Sequence, residues 1–486
     1  MARVVILGAG LTGLSTAYHL EKNNFFDYKI FEKENRPGGL ARSFKNNGFT
    51  FDFTGHLLHA NDDYFKTFLK TITTPNTFNK LTRKSFIHSH NTYVPYPFQM
   101  NLNGLPHDVI KECIIGFVER SSRSSRSKKP FDKLRANGAN LDNFYDWVIK
   151  YFGAGIGKHF FFPYNSKILA TDIKKVHPSW TGRFVPKVTL DDILDGALQK
   201  RDVLSVGYNN TFLYPQKNGI QTIVDSMVQN ITNPISFDCE ATKIDLKNKC
   251  VQFKNGHVEQ FETLITTLPL NNFLKNSTTP SNIVFKNAAE KLVCNSVINF
   301  NLGFDIANLT DKHWIYFPEK KFNFYRFGFW NNFSKNMTPK NCSSLYGEVS
   351  YLPKTKSKKQ LETITNEAIT QTCNVLNVPR ANVIEKTILE IPHAYVIYNQ
   401  WREKHLPKIQ ETLQKLSVYS IGRYGSWKYE SMQEAILDGK KVSENIITQN
   451  ALQTTFHPAI QTGAKVIKKI KRRKSSHEDS SNILQK

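Results

Sequence analysis

The chain has 486 residues, of which 40% are hydrophobic and 35 are phenylalanine, so it is long enough for more than one domain with its own core. Its six cysteines are scattered and form no CxxC pair, which argues against a zinc site and for reduced thiols in the cytoplasm. No run of about 18 apolar residues occurs in the sequence, so no membrane span is expected.

The formal net charge is +24, and much of it lies in two segments, residues 120–135 and 465–474. Neither segment has the interleaved aromatic side chains of a single-strand nucleic-acid binder. We therefore predict a mobile loop at 121–140 and a disordered basic tail at 451–486, and we expect no specific nucleic-acid partner. Contact of the tail with an anionic surface and formation of a homo-oligomer stay open.

The first predicted elements are a strand, a glycine turn, a helix and a second strand. Residues 4–7 (VVIL) form an aliphatic run, residues 8–13 (GAGLTG) follow it, and the second strand ends at Glu32. A GxGxxG dinucleotide fingerprint requires this order, with the pyrophosphate at the helix N-terminus and the acid at the ribose. The predicted cofactor contacts in this unit are Gly8, Gly10, Leu11, Thr12, Gly13 and Glu32.

A second glycine-rich turn, residues 36–42 (RPGGLAR), comes shortly after Glu32. Nicotinamide enzymes do not need a glycine pair at this place. The segment resembles the GG-x-x-R turn of flavoproteins of the amine oxidase type, which lies close to the flavin, and the resemblance implies FAD as the cofactor. The cofactor contacts that it implies here are Gly38, Gly39, Leu40, Ala41 and Arg42.

The rest of the chain alternates between pieces of the cofactor domain and two insertions. We predict an α/β fold with a discontinuous Rossmann-type FAD-binding domain made of residues 1–70, 209–285 and 405–450. A helical insertion covers 71–208, and an antiparallel, sheet-rich substrate domain covers 286–404. Ligands in such folds bind where domains meet, over the carboxyl ends of the parallel strands.

Several later segments combine aromatic residues with polar or basic ones. They are 95–99 (PYPFQ), 163–167 (PYNSK), 312–316 (KHWIY), 324–326 (FYR), 391–395 (IPHAY) and 422–430 (GRYGSWKYE). The last one matches the signature G-R-[FY]-G-S-W-[KR]-Y-E. From residue 4 to about residue 447 the chain resembles the UDP-galactopyranose mutase family, most of all its eukaryotic members, within the superfamily of amine oxidase- and protoporphyrinogen oxidase-like flavoproteins.

The resemblance assigns Arg326 and Arg423 to the substrate diphosphate, and a planar, permanently charged guanidinium suits phosphate oxygens. It also places His56 against the flavin, so that Arg326, Arg423 and His56 are the implied catalytic residues. The implied substrate contacts are Tyr96, Gln99, Asn165, Arg183, Asn210, Trp314, Tyr316, Tyr395, Tyr429 and Gln433. Further implied cofactor contacts are Gly55, Gly422 and Met432.

Departures from the family pattern leave the sugar undefined. Residues 168–169 (IL) stand where the family usually has a tryptophan, and residues 432–435 (MQEA) replace an Asn-Gln-Asp-His run. Trp314 and Tyr316 lie two positions apart on a predicted strand and also fit a hydrophobic core. His56 also fits a structural, hydrogen-bonded histidine.

The resemblance implies a redox-neutral isomerisation between the pyranose and furanose forms of a UDP-sugar, in polysaccharide or cell-wall biosynthesis. N5 of reduced FAD attacks the anomeric carbon and displaces UDP, while the protein stabilises the diphosphate. NAD(P)H is a candidate external reductant. The alternatives are an FAD-dependent oxidoreductase of the amine oxidase or protoporphyrinogen oxidase type, a mutase of another nucleotide sugar and, on charge alone, a non-enzymatic binding protein.

Overall fold

The computed structural model describes residues 2–124, 143–181, 185–199, 210–278 and 282–449. Residues 125–140 of the predicted loop, Arg183 and the predicted tail at 451–486 lie outside this described part of the chain. Within it, no helix is long and apolar enough to cross a membrane. The six cysteines are free thiols.

The strands are β1 (Ala2–Leu7), β2 (Tyr28–Phe31), β3 (Ser43–Asn46), β4 (Phe49–Asp52), β5 (Phe78–Thr82), β6 (Ser85–Ser89), β7 (Thr92–Pro95), β8 (Thr211–Pro215), β9 (Ile235–Ser236), β10 (Ala241–Asp245), β11 (Cys250–Phe253), β12 (Val258–Thr266), β13 (Ser277–Thr278), β14 (Ser296–Phe304), β15 (Trp314–Tyr316), β16 (Arg326–Phe329), β17 (Ser343–Tyr351), β18 (Val383–Ile391) and β19 (Val418–Ser420). The α-helices are α1 (Leu11–Lys22), α2 (Asp63–Ile72), α3 (His107–Ser124), α4 (Phe144–Ile156), α5 (Phe162–Leu169), α6 (Leu190–Leu198), α7 (Gln221–Gln229), α8 (Leu270–Asn276), α9 (Asn282–Lys291), α10 (Trp330–Phe333), α11 (Lys358–Leu376), α12 (Gln400–Lys415), α13 (Gly422–Gly425) and α14 (432–449). Short 3₁₀ or π turns lie at Phe98–Met100, Gly157–Phe161, Ile173–Lys175, Pro178–Trp180, Lys335–Met337 and Arg380–Asn382.

Parallel strands in the order β19-β12-β1-β2-β9 form the central sheet. Both faces of this sheet are covered, which is why residues 4–7 of β1 are almost completely buried. Val4 and Ile6 pack in the core that includes α1 and α7, whereas Val5 and Leu7 pack in the core that includes α8 and α12. The prediction of a Rossmann-type sheet with a buried first strand is confirmed.

Strand β12 belongs to two sheet regions. Its first residues pair antiparallel with β11, whereas residues 261–266 pair parallel with β1. The β10–β11 hairpin therefore extends the central sheet on one side. At the carboxyl end of β12, the Thr267 amide donates to the Leu7 carbonyl at 2.9 Å. This contact brings the ends of β12 and β1 together at the edge where ligands of such sheets bind.

The second sheet has the order β18-β14-β17-β16-β15-β6-β7 and is antiparallel except for the β15–β6 pair. Its strand β14 is buried at every position, and α11 packs against it. The predicted α/β class with an antiparallel second sheet is confirmed. The sheet also takes β6 and β7 from residues that the sequence assigned to the helical insertion, and the domain boundaries themselves stay a prediction.

A buried carboxylate joins the β3–β4 hairpin to β8 and α7. Asp52 accepts hydrogen bonds from the Ser43 hydroxyl at 2.6 Å, the Tyr214 hydroxyl at 2.6 Å and the Ile220 amide at 3.2 Å. Burial raises the pKa of Asp52 to about 6, although the hydrogen bonds act in the opposite direction. Asp52 therefore titrates close to neutral pH inside the fold.

We expect wild-type stability to fall, relative to Asp52→Asn, as the pH rises through about 6. The pKa of this carboxyl in the folded state lies above its ordinary value of 3.8. Its contribution to stability is therefore fully present at pH values below 3.8 and is lost as the pH rises through about 6. The expected change in the free energy of unfolding is on the order of 1 kcal/mol between about pH 5 and about pH 7. Urea unfolding of both proteins at each pH measures it, and a pH-independent difference would contradict the expectation.

Candidate functional site

The predicted cofactor turns lie side by side at the carboxyl ends of β1 and β2. The Gly38 amide donates to the Ala9 carbonyl at 2.8 Å, and Gly10 and Gly38 form a parallel bridge. A Cβ on Gly39 would lie 3.5 Å from the Gly10 Cα. The turns at 8–13 and 38–39 therefore form one glycine cradle at the N-terminus of α1, where an anionic group is favoured.

Glycines in this cradle serve the fold and the ligand differently. Gly8 has a φ of +101°, and a Cβ on Gly13 would lie 1.9 Å from the Gly8 carbonyl oxygen. The close packing of α1 on β1 thus requires Gly13. A Cβ on Gly10 would lie no closer than 4.0 Å to any atom beyond its chain neighbours and its own helix backbone, the nearest being the Gly39 Cα. Glycine at position 10 therefore suits the close approach of a ligand to the backbone.

Glu32 braces the cradle from the end of β2. It is 6% exposed, and its carboxylate accepts hydrogen bonds from the Ala9 amide at 2.8 Å and the Glu34 amide at 3.0 Å. Each carboxylate oxygen keeps a second lone pair, so the ribose contact stays a prediction. The bond to the Ala9 amide is a structural role that the fingerprint alone did not reveal.

Arg42 places a positive charge against the cradle. Its Nε is buried and makes no hydrogen bond, and its Nη1 lies 3.8 Å from the Glu34 carboxylate. The guanidinium carbon lies 5.0 Å from the centroid of the Phe53 ring, and burial lowers the pKa of Arg42. A largely buried cation with an unused Nε donor beside a dinucleotide fold fits an anionic cofactor such as FAD.

A third glycine turn packs on the cradle from the other end of the chain. Gly422 follows β19 with a φ of +76°, and a Cβ there would lie 2.6 Å from the Thr12 hydroxyl oxygen. The segment that carries Arg423 therefore begins in contact with the fingerprint helix. The apolar members of the predicted cofactor set pack in the cores beside the cradle: Leu11, Leu40, Ala41 and Met432.

Arg423 lies in this third turn, in contact with tyrosine rings and backbone carbonyls. Its guanidinium carbon is 4.7 Å from the Tyr429 ring centroid and 5.5 Å from the Tyr395 ring centroid, and these two rings stack at 6.0 Å. Nη1 donates to the Glu430 carbonyl and Nη2 to the Ala394 carbonyl, each at 3.0 Å. These contacts orient the guanidinium without neutralising its charge.

Arg326 reaches the same tyrosine cluster from the second sheet. The register of β16 and β17 places it directly opposite Glu348, and its Nε and Nη2 donate to the two Glu348 oxygens at 2.7 and 2.9 Å. This ion pair uses one edge of the guanidinium and does not use Nη1. The Tyr325 hydroxyl lies 3.5 Å from the Tyr395 hydroxyl, which links Arg326 to the surroundings of Arg423.

The positive charges of Arg423 and Arg326 both act on His56. Burial, together with the positive charges of Arg423 and Arg326, lowers the pKa of His56 to about 4. Its Nδ1 lies 3.2 Å from the Thr54 carbonyl, and only an N–H can donate to that oxygen, so Nε2 carries the lone pair. The structure thus brings the three predicted catalytic side chains into one electrostatic environment.

An aromatic wall continues from Arg326. Tyr316 lies opposite Arg326 across β15 and β16, and its ring centroid is 5.3 Å from that of Tyr96 and 5.5 Å from that of Tyr164. Asn165, the neighbour predicted from the PYN segment, is buried and donates to a carbonyl of its own helix region. Tyr164 is therefore the member of that segment that joins the wall.

Two predicted substrate residues have local hydrogen-bond partners. Gln99 Nε2 donates to the Pro186 carbonyl at 3.2 Å. Gln433 Oε1 accepts from the Asn61 and Asp62 amides at 2.8 and 3.1 Å. The oxygen of Gln433 thus anchors the loop before α2, and any substrate contact of these two residues stays a prediction.

The remaining predicted residues lie near the second sheet. Trp314 packs in a core with Phe212 and Tyr346, the alternative that its strand position left open. The Asn210 carbonyl accepts from the Arg83 amide at 2.9 Å. A Cβ on Gly55 would lie 2.1 Å from the Tyr346 hydroxyl oxygen, so Gly55 is required by packing. Contacts of Asn210 with sugar and of Gly55 with flavin stay predictions.

Glu348, Tyr325 and Tyr164 are site residues that the sequence did not single out. Glu348 had a readable signal, because it is an acid inside the otherwise uncharged strand SSLYGEVSY and a buried acid needs a cationic partner. Its partner depends on strand register, which the sequence does not show. In the described part of the chain, no group of three or more His, Cys, Asp or Glu side chains could hold a metal ion.

Comparison with known proteins identifies the family. The family of flavin containing amine oxidoreductases matches residues 11–464. The chain belongs to this family and is a flavin-dependent enzyme. The family implies FAD, which the glycine cradle and Arg42 fit.

Individual relatives differ in activity. A crystal structure of reduced UDP-galactopyranose mutase is similar over 92% of this chain and 94% of that chain, with a TM-score of 0.83 and 28% identity. Coproporphyrinogen III oxidase of Staphylococcus aureus is 24% identical over 331 residues, which are 63% of this chain and 69% of the relative. A fatty acid isomerase from P. acnes has a TM-score of 0.64 and 13% identity over 91% of this chain and 98% of that one, which shows the fold alone.

We expect Gly13→Ala to destabilise the protein and to lower its flavin content, because the added methyl would lie 1.9 Å from the Gly8 carbonyl oxygen. The expected loss is about 1–3 kcal/mol in the free energy of unfolding. Gly10→Ala is the matched control, because its methyl would lie 4.0 Å from the Gly39 Cα and would not clash with it. This variant should lower only the flavin content, which is measured by absorbance. Wild-type stability of Gly13→Ala would show that the helix does not need this close contact.

Proposed function

We propose that the chain is an FAD-dependent mutase that interconverts the pyranose and furanose forms of a UDP-sugar, with UDP-galactose as the first candidate. The proposal depends on one observation: Arg326 and Arg423, from different parts of the fold, converge on one tyrosine-lined site beside the glycine cradle. The similarity to reduced UDP-galactopyranose mutase, at 28% identity, supports this substrate class. A cytoplasmic role in polysaccharide biosynthesis, with NAD(P)H as reductant, belongs to the same proposal.

Arg423 is the group best suited to attract the substrate diphosphate. Its guanidinium donates to the carbonyls of Ala394 and Glu430. These bonds hold the guanidinium in one orientation but do not neutralise its charge. Phosphate oxygens would gain charge-assisted hydrogen bonds from it. Tyr395 and Tyr429 stack beside it and can add hydroxyl donors to the same phosphates.

Arg326 has a different task because Glu348 neutralises it. The bidentate pair, with Glu348 1% exposed, holds the guanidinium in one orientation. Its Nη1 is then a fixed donor for a single phosphate oxygen. This arrangement lets Arg423 supply most of the electrostatic attraction and lets Arg326 set the orientation of the diphosphate.

When bound in its reduced form, FAD supplies N5 as the nucleophile for the anomeric carbon. The two arginines hold the diphosphate as its bond to the sugar breaks and forms again, and they offset its charge. His56, with a pKa of about 4, is neutral at neutral pH, so its Nε2 can accept a hydrogen bond from the substrate. Tyr96, Tyr164 and Tyr316 offer aromatic surface to the base.

The alternative function is oxidation of a porphyrinogen or an amine by bound FAD. The 24% identity with coproporphyrinogen III oxidase over 331 residues favours it. An amine substrate would be repelled by the unneutralised charge of Arg423. A porphyrinogen carries carboxylates that Arg423 could bind, so an assay must separate this alternative from the mutase.

We expect the dithionite-reduced protein, under anaerobic conditions, to convert UDP-galactofuranose into UDP-galactopyranose. The oxidised protein should not do so, because only reduced flavin has a nucleophilic N5. Chromatography of the nucleotide sugars measures both reactions. Oxygen consumption with coproporphyrinogen, without any sugar conversion, would establish the alternative instead.

We expect Arg423→Ala and Arg326→Ala each to lose on the order of 2–5 kcal/mol of transition-state or binding energy, since each removes a donor to the diphosphate. Arg380→Ala, which removes an exposed arginine, is the control and should keep wild-type kinetics. The ratio kcat/KM for the UDP-sugar measures the loss. Wild-type turnover by both site variants would exclude the diphosphate role.

A further inference from the structure

Helix α12 holds the segment 422–430 at two points. Gln410 Nε2 donates to the Gly425 carbonyl at 3.0 Å. About two turns closer to the start of the helix, Nε and Nη2 of Arg402 both donate to the Trp427 carbonyl, at 2.9 and 2.7 Å. The position of this segment therefore depends on side chains of α12 as well as on strand β19.

Arg402 is buried together with an aromatic partner. It is 7% exposed, its guanidinium carbon lies 3.8 Å from the centroid of the Tyr398 ring, and its Nη1 contacts Glu403. The Tyr398 hydroxyl in turn accepts a hydrogen bond from the Tyr429 amide at 2.7 Å. We call Arg402 and Tyr398 the Arg402–Tyr398 clamp, because both hold backbone groups of the segment that carries Tyr429.

The carbonyl held by Arg402 belongs to a residue in an unusual conformation. Trp427 has a φ of +50° and a fully buried side chain. Residues other than glycine rarely adopt this left-handed conformation, so surrounding contacts must stabilise it. Two N–H groups on the Trp427 carbonyl do so here. Because this turn sets the direction of the chain, it also sets where Tyr429 lies beside Arg423.

The Arg402–Tyr398 clamp also touches the segment that precedes Arg183. The Tyr398 carbonyl accepts from the His177 amide at 2.5 Å, and the Trp180 ring meets the Tyr429 ring edge-on at 6.1 Å. The segment that contains His177 and Trp180 and the segment that contains Tyr429 are therefore both held by hydrogen bonds to Tyr398.

We infer that Arg402 and Tyr398 are positioning residues that place Tyr429 and Arg423 for the substrate diphosphate. The inference rests on the proposed function, since it presupposes a diphosphate ligand. Neither residue needs to contact that ligand. The clamp holds the Trp427 carbonyl and the Tyr429 amide. The ligand meets the Tyr429 ring and Arg423, whose Nη1 donates to the carbonyl of the next residue, Glu430.

UDP affinity of the dithionite-reduced flavoprotein, measured by anaerobic calorimetric titration, tests the inference. Tyr398→Phe keeps the ring and removes only the hydroxyl that holds the Tyr429 amide, and Arg402→Lys removes the forked contact with Trp427. We expect each to bind UDP roughly five- to tenfold more weakly than wild type, with unchanged flavin content. Lys404→Met, which removes an exposed cation from the same helix, should bind like wild type.

A double-mutant cycle separates positioning from a general loss of structure. Tyr429→Phe removes the hydroxyl that the clamp places. The double variant Tyr398→Phe/Tyr429→Phe should therefore bind UDP about as weakly as Tyr429→Phe alone. Fully additive losses, or wild-type affinity in Tyr398→Phe, would overturn the inference, even if Arg402→Lys failed to fold. A wild-type protein that does not bind UDP would instead refute the proposed function, and the inference with it.

Discussion

The charge of Arg423, which is half-buried and forms no ion pair within the described residues, is the constraint on which the site depends. Its guanidinium donates to the carbonyl oxygens of Glu430 and Ala394, and the rings of Tyr429 and Tyr395 lie beside it. A charge in such surroundings is costly unless an anion offsets it. The same charge helps to keep His56 neutral. A diphosphate ligand would offset the charge of Arg423, and no carboxylate of the protein would be needed for that purpose.

Two consecutive residues connect this charge to the predicted cofactor site. Gly422 packs against Thr12 of the fingerprint helix, and Arg423 is the next residue. The turn that closes the cradle is therefore also the turn that presents the guanidinium. In the second sheet, the register of β16 and β17 sets Arg326 against Glu348, and the Tyr325–Tyr395 contact joins the two halves. The groups proposed to bind cofactor and substrate are thus held by elements that are far apart in sequence.

Local patterns in the sequence were sufficient for the first strand, the glycine turns and the class of the second sheet. They were insufficient where the outcome depends on long-range pairing. The parallel pairing of β6 with β15 draws residues 85–89 into the second sheet, although the sequence assigned them to the helical insertion. The Arg326–Glu348 pair follows from strand register, and the place of Trp314 in a core follows from packing. Neither can be read from the separate segments.

A crystal structure of the reduced protein in complex with UDP tests the central claim most directly. The account predicts that the diphosphate lies within hydrogen-bond distance of both Arg423 and Arg326 Nη1, beside the rings of Tyr395 and Tyr429. UDP bound elsewhere, with a carboxylate or water in place of phosphate at Arg423, would contradict it.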